Sequence, residues 1–258
     1  MKDKKSEERY IVPAVEQAVI LLKLLESSSS THLSLTQICK MSGINKSKVY
    51  SILNTLQRHG IVTRNLAGNG YSLGPALISL SRKVLDNLNL PRLAEPILAE
   101  LSEKTGGTAV FDLIIQDNVY TVAKAENKQD IGIAIRVGLR FPLTFAAHGK
   151  AIAAVMSEDD LRELLKSPRL YFYGKPEYYD KERLYKDLEE YRKKGFALEL
   201  GEINPGINTI ASAVIGPNNK PIGAILVFGT FSAEKACEFG LLVADAARSF
   251  SKRLGANP

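Results

Sequence analysis

Residues 35–53 read LTQICKMSGINKSKVYSIL, and this stretch decides the fold. Leu35 to Met41 reads as a short helix that Ser34 can cap. Gly43 then breaks the pattern where the backbone must turn sharply. Cys39, four residues earlier, is small enough to let two helices approach. Asn45 is a good N-cap for a second helix running to about His59, with Gly60 as its stop. Ile38, Ile44, Val49 and Ile52 fall where the two helices must pack on each other. The side chains left outside on the second helix are Lys46, Ser47, Lys48, Tyr50, Ser51 and Asn54. Basic, hydroxyl and amide groups of this kind reach phosphates and base edges. The pattern is a helix-turn-helix.

Moving outward, Val12 to Glu26 has apolar side chains at Val12, Val15, Ala18, Val19, Leu22 and Leu25, the spacing of an amphipathic helix. Pro13 near its start costs little there. Ser27 to Thr31 is a loop. After the second helix come two short strands, Ile61 to Arg64 and Tyr71 to Leu73. The turn-forming run between them makes a wing, with Arg64, Asn65 and Asn69 near its tip.

Pro75 to Leu88 is helical in spacing, Pro91 interrupts it, and a further helix runs to about Lys104. Beyond it, strands are expected at Ala109–Ile115, Val119–Ala125, Ile131–Val137, Phe196–Leu200, Thr209–Ile215 and Ile222–Phe228. Helices are expected at Gly149–Met156, Asp159–Leu165, Lys181–Lys194 and Ala233–Leu254. Asp117-Asn118 and Pro217 to Lys220 read as hairpin turns. The class is α+β around an antiparallel sheet. The expected domains are a tail at 1–9, a winged helix-turn-helix at 10–74, a linker helix at 75–90 and a second domain at 91–258.

Charge divides the chain in the same place. Residues 1–85 hold 12 Lys+Arg against 5 Asp+Glu, and residues 86–258 hold 22 against 23, so the whole excess of +6 lies in the first third. A basic module that meets a polyanion, joined to a near-neutral module, fits that asymmetry. Hydrophobic residues are 45% of the 258, too many for a disordered chain. No apolar run is long enough to span a membrane, and the polar stretch Met1 to Arg9 is not a signal peptide. Two distant cysteines, Cys39 and Cys237, make no disulfide framework, so a reducing cytoplasm is the expected compartment.

Val12 to Leu73 resembles the DNA-binding domain of IclR-type transcriptional regulators. Ala14 to Ala18 through Leu25 is similar to that family's first helix. Asn45 to Tyr50 through Leu56, then Gly60-Ile61-Val62, resembles its recognition helix and the start of its wing, and Tyr71 to Gly74 the end of the wing. Pro142-Leu143 through Gly149-Lys150-Ala151 and Gly206 to Val214 are similar to its effector-domain signatures. Ser51 departs from the pattern, since many members carry Arg after the Tyr.

The resemblance implies a GAF-like second domain with a small-molecule pocket, dimers through the N-terminal domain and linker helix, often paired into tetramers, and more commonly repression. Carried over by motif, Ala147, His148 and Gly149 start a helix whose N–H groups favour an anion. Glu199, Asn208 and Thr209 join them from the second signature. Leu226 and Phe228 share one face of their strand and should face the same pocket. Members that bind small oxo-acids often carry serines at those two positions. Leu and Phe here imply a more apolar pocket and an aromatic or branched carboxylate effector, with His148 as a hydrogen-bond partner. The alternative is that both side chains simply fill the core.

On the DNA side, Lys46, Ser47, Tyr50 and Ser51 are expected at or near base edges, with Lys48, Arg58 and Arg64 at phosphates and Asn45, Asn54 and Asn69 beside them. The partners expected are duplex DNA, a small effector and a second copy of the chain, with no cofactor and no membrane. An enzyme is not expected. Of the three histidines, His32, His59 and His148, the first two lack a metal-ligand partner at plausible spacing, and neither a P-loop nor G-x-S-x-G occurs. Glu199 and Glu202 remain a conceivable acid/base pair without a nucleophile. A ligand-binding or scaffold protein using its winged helix for protein contacts is the other reading, and the basic first third argues against it.

Overall fold

The computed structural model describes residues 11–28, 30–65, 70–87, 90–127 and 135–256, with backbone alone at 82 and 84–87. The chain divides into two compact units, Met1–Asn87 and Leu88–Pro258.

In the first unit, α1 (Pro13–Ser27) starts at a proline, whose missing N–H would have no partner there anyway. β1 (Leu33–Ser34) leads into α2 (Leu35–Ser42) through a capping box. Ser34 Oγ accepts the Gln37 N–H at 3.3 Å, and Gln37 Oε1 accepts the Ser34 N–H at 2.9 Å. Gly43 ends α2 with φ +68°, a left-handed conformation open to glycine, and its N–H reaches the Cys39 carbonyl at 3.0 Å. In α3 (Lys46–Arg58), Asn45 Oδ1 caps the Lys48 N–H at 3.0 Å. β2 (Val62–Asn65) and β3 (Gly70–Leu73) complete a sheet of order β1-β3-β2. Leu21, Leu33, Ile38, Val49, Leu53, Val62 and Tyr71 form the core.

Two expectations change in this unit. Of the expected stripe, Val12, Val15 and Val19 are exposed while Leu25 is buried, and it is joined by Leu21, which was not expected there. So small a core has no room for the whole apolar surface of the helix. β1 was also not expected, because two residues carry no readable alternation. The unit ends in α4 (Ala76–Asn87).

The second unit opens with α5 (Leu90–Thr105), which takes Pro91 in its first turn and Pro96 in its interior. Its six-stranded sheet has order β6-β5-β4-β9-β8-β7 and is antiparallel throughout. The strands are β4 (Thr108–Ile115), β5 (Asn118–Ala125), β6 (Arg140–Pro142), β7 (Ala197–Leu200), β8 (Asn208–Ile215) and β9 (Pro221–Gly229). α5 and α9 (Ala233–Arg253) cover one face; α6 (Ala146–Ala154) covers the other, with α8 (Lys181–Lys194) packed on α6. α7 (Glu158–Leu164) and a 3-10 turn at Pro176–Tyr178 lie between α6 and α8. Alternation along β4 sends Phe111 toward α9, where it meets Phe250 edge-on at 5.1 Å, and leaves Asp112 for the opposite face.

The expected strand Ile131–Val137 lies outside the described residues at 131–134, and 135–137 form none. β6 was not expected, being three residues that end in Pro142. Gly149 is not the start of a helix: α6 begins at Ala146. A Cβ on Gly149 would stand 2.3 Å from the Thr144 carbonyl carbon, so the glycine marks a close approach rather than a boundary. The β4–β5 turn is Gln116-Asp117, one residue earlier than expected.

Candidate functional site

The outer face of α3 carries most of the residues expected at DNA. Lys46, Ser47, Lys48, Tyr50, Ser51 and Arg58 are exposed, Tyr50 at 45%. Asn54 is half-buried. Burying Val49 and Leu53 against the core turns this polar face outward. Asn45 is engaged locally, because its Oδ1 takes both the Lys48 N–H and the Ser47 hydroxyl, the latter at 3.2 Å. With Lys48 capped, the N–H groups of Lys46 and Ser47 open the helix, where backbone dipoles favour a phosphate. Arg64 is half-buried on β2, its guanidinium 5.6 Å from the centroid of the Tyr71 ring. Asn69 lies outside the described residues.

The second unit holds a cavity of about 200 Å³ between the sheet and the start of α6. A single water needs only about 10–15 Å³ of such space, so the cavity has room for an organic ligand. Ala147, His148, Glu199, Thr209, Leu226 and Phe228 line it. Gly149 is packed on Thr144 instead. Asn208 is also outside the wall, because its Nδ2 donates to the Phe231 carbonyl at 2.6 Å and ties β8 to the start of α9. The wall is completed mainly by apolar groups, including Ile135, Leu139, Phe141, Phe145, Ile203 and Ile207.

Two polar groups that sequence reading passed over, Asp112 and Thr121, complete one end of it. Asp112 is 1% exposed, and its Oδ1 accepts the Thr121 hydroxyl at 2.7 Å. His148 Nδ1 lies 3.6 Å from Asp112 Oδ2, and its Nε2 lies 3.4 Å from the Pro142 carbonyl. Burial pushes the Asp112 carboxyl up to about 7, against the Thr121 hydrogen bond, which favours ionisation. Burial also holds the His148 imidazole down at about 4, against the pull of the Pro142 carbonyl. Across the cavity, Glu199 Oε1 accepts the Ile203 N–H at 3.0 Å, and Oε2 faces the Thr209 hydroxyl at 3.5 Å. The sequence signal for Asp112 was a lone charge inside the apolar run 108–115, TAVFDLII.

Other buried charge is structural. Lys150, 4% exposed, meets Asp187 at 2.7 Å, and its ammonium lies 4.6 Å from the Tyr173 ring. Glu202 pairs with Arg183 and does not line the cavity with Glu199. Both cysteines are free thiols, Cys39 half-buried in the first core and Cys237 exposed on α9. Among the described residues no three His, Cys, Asp or Glu side chains are grouped to hold a metal, and no helix is long and apolar enough to cross a membrane.

A winged helix-turn-helix followed by a cavity-bearing α+β unit defines a DNA-binding transcriptional regulator. The IclR helix-turn-helix domain matches residues 14–66, and the family described as bacterial transcriptional regulator IclR C-terminal matches residues 82–252. The chain belongs to the IclR family of transcriptional regulators, which are not enzymes. It is 30% identical to the HTH-type transcriptional regulator XynR of Escherichia coli K12, over 83% of this chain and 85% of that one. It is 25% identical to the transcriptional repressor IclR of the same organism, over 91% and 88%. An IclR regulator from Alicyclobacillus acidocaldarius has the same fold, with TM-score 0.82 and 29% identity over 96% of this chain and 100% of that one.

Proposed function

We propose that this regulator recognises an operator as a homodimer or tetramer, that a small carboxylate in the cavity of the second unit modulates that recognition, and that its action is repression. Residues 10–74 read DNA, 75–90 link, and 91–258 sense the ligand. The observation that carries the reading is the exposed polar face of α3, which offers Lys46, Ser47, Tyr50 and Ser51 to base edges and Lys48 and Arg58 to phosphates. Arg64, Asn54, Asn45 and Asn69 are assigned supporting contacts. Repression is favoured by the relationship to the Escherichia coli repressor IclR.

The effector reading rests on the cavity wall. Phe141, Phe145, Leu226 and Phe228 supply an apolar bed for an aromatic or branched body. The first turn of α6 lies in the wall at Ala147 and His148, where backbone N–H groups suit a carboxylate head.

Fluorescence anisotropy with duplex DNA tests the assignment of contacts. Ser47→Ala and Tyr50→Ala each reduce discrimination between operator and scrambled DNA by roughly 1–3 kcal/mol. Lys48→Ala weakens binding to both alike and lowers the salt slope by about one. Unchanged discrimination in the first two variants would remove α3 from the role of reader.

A further inference from the structure

The cavity that is read above as the effector site has an acid-rich wall. Asp112 enters it from β4 and Glu199 from β7, and among the described residues of the wall there is neither Lys nor Arg. The nearby buried ammonium, Lys150, is engaged with Asp187 at 2.7 Å. Arg140 is half-buried on β6 but outside the wall. A carboxylate entering this space finds the N–H groups of α6 and no side-chain cation, with two carboxyl groups around it. Burying like charges together in a cavity of low polarity is strongly unfavourable unless one of them carries a proton.

Resting on the reading of this cavity as a carboxylate site, we propose that Asp112 is its specificity-determining residue: an acid ligand binds together with one proton, held by the Asp112–His148 pair, so that the pair meets the ligand's carboxylate uncharged instead of repelling it. The geometry provides for this. Asp112 Oδ1 is occupied by the Thr121 hydroxyl at 2.7 Å, while Oδ2 faces His148 Nδ1 at 3.6 Å beside the cavity. The Pro142 carbonyl lies 3.4 Å from His148 Nε2, and the other carboxyl group of the wall, Glu199 on β7, faces the cavity from across it. Thr209 on β8 and Leu226 and Phe228 on β9 bring no charge. Burial keeps the His148 imidazole neutral, so the proton of the pair sits on Asp112. Burial already lifts the Asp112 carboxyl to about 7, so the free protein releases this proton as pH passes neutral. Above that pH the proton must be taken from solvent, and apparent affinity falls about tenfold per pH unit.

The probe is benzoate, with benzamide and benzylamine as its neutral and cationic counterparts, titrated calorimetrically into the full-length protein between about pH 6 and about pH 9. Titration in two buffers of different ionisation enthalpy counts the protons. The expected result is close to one proton taken up per benzoate above neutral pH. The Kd should be nearly flat below neutral pH and rise about tenfold per unit above about pH 7.5. Asp112→Asn, which stays neutral, should bind benzoate with a Kd independent of pH. If that variant does not fold, the proton count on the natural chain decides alone. Benzoate binding without proton uptake and without pH dependence overturns the proton linkage and leaves the carboxylate site standing. Binding of benzamide or benzylamine with no binding of benzoate overturns both, as does failure of all three at millimolar concentration.

Discussion

Asp112 and His148 pull the stability of the second unit in opposite directions across the acid range. The folded Asp112 carboxyl titrates at about 7, above its ordinary value, so its contribution is greatest in acid and is lost as pH rises from about 4 toward 7. The folded His148 imidazole titrates at about 4, below its ordinary value, so its contribution is present at neutral pH and is lost as pH falls from about 6.5 toward 4. The two largely offset each other between those limits. Asp112→Asn removes the first effect and keeps the second. Thermal melts should therefore show the variant gaining on the natural chain as pH rises from about 4, with a constant difference above about pH 8. A difference that does not change with pH would mean that Asp112 is not held protonated by burial. At this scale sequence reading reached His148, Glu199 and Thr209 through motif likeness, and Leu226 and Phe228 through alternation in a strand. It missed Asp112 because a single acid in an apolar strand does not disclose which face, or what space, it meets. It misplaced Asn208, whose neighbour Phe231 lies 23 residues away in sequence.

Among the elements, α3 depends on its first turn. Asn45 closes that turn by accepting the Lys48 N–H, and no acidic residue assists it there. Asn45→Ala should lower the stability of the first unit by about 1 kcal/mol, read by denaturant melts, and weaken DNA binding by loosening Lys46 and Ser47. Unaltered stability would mean that water replaces the cap without loss. Elements with strong periodicity were legible: α2 and α3 fall where the apolar spacing and the Ser34 and Asn45 signals put them, and α8 keeps the expected bounds Lys181–Lys194. α6 was not legible at its start. Its nine residues are buried on every side, so no polar face marks the register, and Gly149 mimics a boundary while serving a contact with Thr144.

At the scale of the molecule, one winged helix offers too small an interface for tight specific binding, and two half-sites multiply it. Val15, Val19 and Ile20 on α1, with Val12 just before it, expose 41–60% of their surface, an apolar face that the core leaves uncovered. The proposed dimer would cover it. Val15→Glu should shift the mass found by light scattering at micromolar concentration from dimer or tetramer toward monomer and cut operator affinity. A natural chain that is already monomeric would contradict the assembly. The division into a basic third and a near-neutral remainder was legible from charge alone, because phosphate binding requires cations where no other fold-level signal does. Whether α3 reads sequence is decided by selecting duplexes from a random pool with the purified full-length protein. A reading helix should enrich one motif, bound at physiological salt at least about 10³-fold tighter than scrambled DNA of the same length. Equal affinity for selected and scrambled duplexes would contradict it.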